Sequence, residues 1–386
     1  MNKVTIDSIA FIADGNYSSK YPRADEFKME GVPFIRANNF FNSTISDDDM
    51  LFISKEKHSE LKKGHLEADD VLITTRGNIG KTVLVPKKHA GSNINAQIVL
   101  LRCKNTILPK YLLHVFKIPF VENQLMNFTT GTALKQLPVG NLRKIQIPLP
   151  PLSIQKAIAE KLDKADALRK KDKELLAQYD ELAQAIFIDM FGDPVRNERG
   201  WESDELSKTA PFKKYEGNVS TNEGKFWLLN LDMIKAQTGE IIEKNYVAQN
   251  EITNSTISFN EDQVLYSKLR PYLNKVVIPT GSGYATSELI PMNPVKEKLN
   301  KYFLVYLLRS KSFVNYIEEK VAGAKMPRVS MDTLRDFAVI LPPLLMQTQF
   351  AEKIQNIEAQ KAIVRQQAQQ SEDLFQALLQ ESFNFN

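Results

Sequence analysis

Residues 147–162 read IPLPPLSIQKAIAEKL, and residues 339–354 read VILPPLLMQTQFAEKI. Aligned without a gap, Leu142–Leu162 and Leu334–Ile354 agree at 10 of 21 positions, 192 residues apart. Unrelated segments of ordinary composition agree at about one. A self-match at a fixed period governs the whole architecture, because each copy marks one structural unit built by the same rules. A chain of 386 residues has room for two such units, each with its own core.

Each copy has the same parts. Alternating apolar residues (Leu142, Ile145, Ile147, Leu149; then Leu334, Phe337, Val339, Leu341) predict a strand. The pairs Pro150–Pro151 and Pro342–Pro343 stop it, since proline lacks the donor that a ladder or a helix interior needs. A helical pattern follows, with Ser153 as N-cap in the first copy. That helix can run to about Phe191 without Gly or Pro, roughly 58 Å at 1.5 Å per residue. Its apolar positions Ala165, Leu168, Leu175, Tyr179, Leu182 and Ile186 form a heptad seam interrupted by Asp172. The second helix, about Met346–Phe383, carries Ile357, Val364, Leu374 and Leu378 on the equivalent seam. The two helices are expected to pair antiparallel, with Ala165 opposite Leu378, Tyr179 near Val364 and Ile186 near Ile357. The alternative is two separate amphipathic helices, each lying on its own domain.

The remaining segments repeat more faintly. DDVLITTRGNIGKTVLVP (69–86) parallels DQVLYSKLRPYLNKVVIP (262–279): strand, basic turn, strand, then Pro. PKYLLHVFK (109–117) parallels NKYFLVYLLRS (300–310), amphipathic helices in both, and GVPFIRANNF (31–40) parallels GKFWLLNLDM (224–233). Short strands mixed with one or two helices give an α+β (mixed α/β) class. The segment FGDPVRNERGW (191–201) reads as a helix stop followed by a polar entry loop. Four segments are therefore expected: a first globular domain (1–150), a first long helix (151–192), a second domain (193–342) and a second long helix (343–386). Two similar, divergent domains separated by paired helices form an object with pseudo-two-fold symmetry. Duplex DNA has a dyad at every base pair, so such an object suits two unlike half-sites.

Composition narrows the function. Cys103 is the single cysteine, which excludes a disulfide framework and a thiolate metal cage and fits a reducing compartment. His58, His65, His89 and His114 follow no metal-ligand spacing. No stretch approaches 18 apolar residues and no signal sequence is evident, so a cytoplasmic protein without membrane contact is expected. Net charge is +6 over residues 1–150 but only +1 over 193–342, which favours a polyanion for the first domain and says little about the second.

The doubled LPPLxxQxxxAEK phrase opening a long helix, the FGDP-to-Trp201 junction and the roughly 190-residue period together resemble the specificity subunit of type I restriction–modification systems. The resemblance covers essentially the whole chain. It implies two target-recognition domains, each reading one half of a bipartite, asymmetric double-stranded DNA sequence. It also implies an antiparallel coiled coil that sets the spacer and docks two modification (methyltransferase) subunits, with restriction/motor subunits joining for cleavage. Catalysis and S-adenosylmethionine then belong to the partners, and this chain is expected to bind no cofactor or metal and to have no catalytic residue. The sequence agrees. Both Pro-Pro pairs sit in Leu-Pro-Pro-Leu rather than the Asx-Pro-Pro-aromatic turn of an adenine methyltransferase, and no GxGxxG or GxxxxGK[ST] run exists.

Base edges are read by Arg, Lys, Asn and Gln, and phosphates are gripped by Arg and Lys. The turn at 74–81 concentrates Arg76, Asn78 and Lys81, and its counterpart at 267–271 offers Lys268 and Arg270. Further candidates are Arg36, Asn38 and Asn39 in FIRANNF, Lys20 and Arg23 in SSKYPRAD, and Lys213, Lys214 and Tyr215 in the second domain. Lys135 and Gln136, with Lys325 and Arg328, precede the repeated strand in each copy. Two readings of another class remain beside DNA recognition: a coiled-coil adaptor that binds no DNA, and an enzyme with duplicated lobes.

Overall fold

The computed structural model describes residues 2–15, 20–41, 43–132, 134–321 and 326–383. The chain divides into two compact units, Met1–Lys173 with Gln367–Asn386, and Glu174–Gln366. Two 40-residue helices, Leu152–Phe191 and Leu344–Phe383, each start in one unit and end in the other.

In the first unit the strand Lys3–Thr5 pairs antiparallel with the exit strand Gln146–Pro148, Val4 facing Ile147. A four-stranded antiparallel sheet follows the order Ala10–Asp14, Ile98–Cys103, Val71–Thr74, Thr82–Leu84. Three of these strands read as near-continuous Val, Ile and Leu because both faces are covered: Val71, Ile73, Val99 and Leu101 face one cluster, and Leu72, Val83, Ile98 and Leu100 face another. Helices Pro109–Val115 and Pro119–Asn127 close the first cluster. Each opens on proline, whose missing N–H costs nothing in a first turn.

The second unit repeats this frame with a different filling. Ser203–Glu205 pairs with Ala338–Ile340, and helices Lys301–Arg309 and Lys311–Val321 pack on the core. Val264–Ser267 lies between Val276–Val277 and Leu289–Met292 in a three-stranded sheet, and a separate five-stranded sheet is built around Lys225–Leu229. Trp201 anchors the entry loop by donating from Nε1 to the Phe191 carbonyl at 2.9 Å.

The repeated phrase works through its glutamine. Gln155 and Gln347 are each fully buried. Gln155 accepts from the Leu108 N–H (2.9 Å) and donates to the carbonyls of Thr106 (3.0 Å) and Pro150 (2.8 Å). Gln347 accepts from the Asn300 N–H (2.9 Å) and donates to Lys298 (3.0 Å) and Pro342 (2.8 Å), every partner displaced by 192 residues. One side chain thus ties the Pro-Pro break and the loop before the domain helix to the start of the long helix. Ser153 is not the N-cap. The long helix begins at Leu152, and the Pro151 carbonyl accepts from Ile154 and Gln155.

Within each unit the long-helix segments run antiparallel. Lys161 pairs with Glu381 (2.9 Å) and Arg169 with Glu372 (2.7 Å), while Ser371 donates to Asp172 (2.7 Å) in the first unit. Lys361 pairs with Asp180 (2.6 Å) in the second, the 192-residue image of Arg169–Glu372. The register agrees with the expected one to within a residue or two. The seam itself needs correction. Ala165, Ile357 and Val364 are buried, and Tyr179, Ile186 and Leu378 pack at the core edge. Leu168, Leu175, Leu182 and Leu374 are exposed instead. In the first helix the buried positions Gln155, Ile158, Ala159, Leu162, Ala165, Ala183, Phe187 and Phe191 follow the 3.6 period of an α-helix, so a strict heptad drifts off the contact by one residue. Ala159, Ala183 and Lys361, the last ion-paired with Asp180 and Glu358, are buried at positions outside the expected seam.

Candidate nucleic-acid interface

The basic turn of the first unit connects Val71–Thr74 to Thr82–Leu84. Thr74 sets its shape: its backbone N–H donates to Lys81 and its carbonyl accepts from Gly80, while its hydroxyl donates to the Asn78 carbonyl and accepts from the Lys81 N–H. Gly77 and Gly80 lie at φ +69 and +88, the left-handed region that glycine enters without a Cβ clash. Asn78 and Lys81 are left exposed, and Arg76 is half-buried.

A second segment is strapped to this turn. The Leu137 N–H donates to the Thr75 carbonyl (2.9 Å), Arg76 forms a β-bridge with Gln136, and Thr130 and Gln136 exchange N–H···O bonds at 2.8 and 2.9 Å. Asn78, Lys81 and Lys135 thereby rim a cavity of about 680 Å³ floored by Phe116, Leu125 and Met126. Glu122 also lines it, and burial raises its carboxyl pKa.

The second unit repeats the strap. The Val329 N–H donates to Lys268 (3.0 Å), the Arg270 N–H to Pro327 (2.8 Å), and Leu269 bridges Arg328. Arg270 is exposed and occupies φ 49 at the head of a short turn, and Lys268 is half-buried. The Arg328 guanidinium forks onto Glu288, Nη2 to Oε1 at 3.0 Å and Nε to Oε1 at 3.2 Å, which neutralises it locally. Lys325 lies outside the described residues.

The other candidates are separate from these turns. Asn39 is buried: it accepts from the Arg36 N–H (3.0 Å) and donates to the Asp48 carbonyl (3.0 Å). Asn39 holds a loop and is removed from base reading, because both ends of its amide are engaged inside the fold. The Arg36 guanidinium donates to the Asp49 carbonyl, while Asn38 is exposed. Lys20 and Arg23 are exposed, Arg23 beside a short helical turn that Glu26 caps. Lys213 and Lys214 project outward from a segment whose carbonyl at Lys213 accepts from Gln263 and Asn293, both at 2.8 Å. Tyr215 is half-buried and its backbone bonds to Ser258.

The buried glutamines were not singled out from sequence, although the identical Gln in both phrases was the signal. Asp163 was also missed. It accepts from His114 Nε2 (2.7 Å) and pairs with Lys110 (2.8 Å), joining the domain helix to the long helix. Burial raises its pKa, but these two donors outweigh it and hold the carboxyl at about 2. Burial pushes the Cys103 thiol up to about 12, which disfavours the thiolate. Among the described residues, no helix is long and apolar enough to cross a membrane.

Residues 1–178 and 203–372 each match the model of the type I restriction modification DNA specificity domain. The type I restriction enzyme StySPI specificity subunit of Salmonella potsdam is 22% identical over 387 residues, covering 91% of this chain and 81% of that one. The MjaIX specificity subunit of Methanocaldococcus jannaschii is 22% identical over 368 residues, covering 88% and 82%. A crystal structure of a type I restriction–modification S subunit from M. genitalium aligns over 100% of this chain and 96% of that one, with 15% identity and a TM-score of 0.49. With two family matches that together span most of its length, on a frame built twice around the same buried glutamine, this chain belongs to the family of type I restriction–modification DNA specificity subunits.

Proposed function

We propose that this chain reads a bipartite, asymmetric DNA target, one unit per half-site, and docks two modification subunits through its long helices. The observation that carries the reading is the pairing of an identical internal frame with unlike recognition surfaces. The glutamine staple, the exit strand and the interhelical ion pair recur at 192 residues, while the basic turns differ in sequence, shape and charge. A duplicated frame keeps the two heads equivalent, and divergent turns let each read its own bases. Asn78, Lys81 and Lys135 carry the contact in the first unit, and Lys268 and Arg270 in the second.

Leu168, Leu175 and Leu182 stand seven residues apart on the exposed side of the first long helix and offer an apolar stripe for the modification subunits. In this arrangement the methyltransferase partner binds S-adenosylmethionine, this chain binds no cofactor, restriction/motor subunits join for cleavage, and the complex works in the cytoplasm. The decisive experiment replaces residues 1–150 with the first domain of another family member and maps methylation genome-wide with the modification subunits present. One half of the methylated sequence should change and the other should stay. Change in both halves contradicts independent reading heads, and absence of any salt-dependent DNA binding leaves the coiled-coil adaptor.

A further inference from the structure

Two large apolar side chains stand exposed beside the strapped turns. Leu134 is 88% exposed and Met326 is 50% exposed. Single exposed apolar residues are ordinary and need no explanation. These two, however, are 192 positions apart, like the glutamines and the interhelical ion pair. Each lies two residues before the residue that forms the β-bridge to the basic turn: Leu134 before Gln136, which bridges Arg76, and Met326 before Arg328, which bridges Leu269.

Backbone hydrogen bonds flank the segment that carries Leu134. Thr130 and Gln136 close it with a pair of backbone hydrogen bonds. Gly131 sits at φ +89, where a Cβ would lie 2.4 Å from the Leu134 carbonyl, so only glycine permits the turn. Cations flank both tips, with Glu122 lining the same cavity as Lys81 and Lys135 in the first unit. Lys135 follows Leu134, and Lys81 is on the adjoining turn. Arg270 is bonded through its N–H to Pro327, next to Met326. Glu288 is the acid on that side, and Arg328 occupies it.

A protruding aliphatic side chain with Lys81 and Lys135 beside it in one unit, and Arg270 beside it in the other, suits a stacked polyanion. The cations meet phosphates on either side, and the apolar tip meets the faces of the bases, the apolar surface of a duplex. We propose that Leu134 and Met326 are wedges, each inserting between adjacent base pairs of its own half-site and unstacking that step. The inference rests on the DNA-recognition reading above and assigns it two residues that hydrogen-bonding logic passes over. A wedge selects sequence without touching base edges, since flexible pyrimidine–purine steps open more readily than others.

The test uses the full chain with its modification subunits, without S-adenosylmethionine, on duplexes carrying the methylated target. 2-Aminopurine is placed at successive positions of each half-site other than the methylated adenines. The wild type should give a several-fold fluorescence rise at one step in each half-site. Leu134→Ala should abolish the rise in the half read by the first unit alone, and Met326→Ala in the other alone, while Leu134→Met retains it. The salt dependence of binding should stay unchanged in all variants, because the wedges carry no charge. Binding without any fluorescence rise in the wild type, or a rise that survives both alanine variants, overturns the wedge and leaves DNA recognition standing. Absence of salt-dependent binding by the wild type overturns both.

Discussion

Replacing Gln155 or Gln347 with methionine tests whether the repeated phrase is a structural device. Methionine nearly conserves volume, so packing loss is small and the cost is that of the hydrogen bonds. Each glutamine makes three, and each is fully buried. At about 1 kcal/mol per bond, each variant should lose about 3 kcal/mol from its own unit. With a urea m-value of about 3 kcal/mol/M for a unit of this size, the midpoint should fall by about 1 M. Both tryptophans, Trp201 and Trp227, lie in the second unit, so their fluorescence reports that unit and far-UV circular dichroism reports both. Gln347→Met should shift the fluorescence transition, and Gln155→Met should shift a circular-dichroism component while leaving fluorescence in place. A loss below about 1 kcal/mol in either variant would refute the staple, because a buried amide with three partners cannot be that cheap to remove.

Asp163→Asn should cost the first unit about 2 kcal/mol at pH 7, from a carboxyl held at about 2 instead of its ordinary 3.8. That stability is complete above pH 3.8 and lost as pH falls through about 2, and burial of neutral His114 adds a loss as pH drops below 6.5. Urea midpoints should therefore fall more steeply in the wild type than in Asp163→Asn only between pH 3.8 and about 2; above pH 3.8 the variant should fall at least as steeply, because Asp163 raises the pKa of His114. Asp180→Asn should destabilise the second unit by about 3 kcal/mol, because the buried Lys361 ammonium then keeps only Glu358 at 2.7 Å; the tryptophan-monitored midpoint checks this. Lys81→Ala and Lys135→Ala should each lower the slope of log affinity against log salt by about 0.9, and an unchanged slope removes that lysine from the interface. Four residues inserted into the first long helix add about 6 Å. They should lengthen the unread spacer of the methylated site by one or two base pairs at roughly 3.4 Å each, with both half-sites unchanged.

The sequence by itself determined the frame. The gapless repeat, the Pro-Pro breaks and the absence of Gly or Pro over nearly 40 residues dictated two units and two long helices, because these signals act through local backbone chemistry. The antiparallel register followed from the apolar spacing and the pseudo-two-fold repeat to within a residue or two. Which residues occupy the contact was decided only in three dimensions. Leu168, Leu175 and Leu182 lie on the first helix's expected seam, yet they are exposed while Ala183, Phe187 and Phe191 are buried, because an α-helix turns at 3.6 and not 3.5 residues. The candidate surface divided in the same way. Composition marked Asn39 and Arg328 as base or phosphate readers, but the fold turned one inward onto Asp48 and set Glu288 against the other. An amide or guanidinium advertises what it can bond to; only the surrounding backbone settles whether that partner is the protein or the solvent-facing space where DNA arrives.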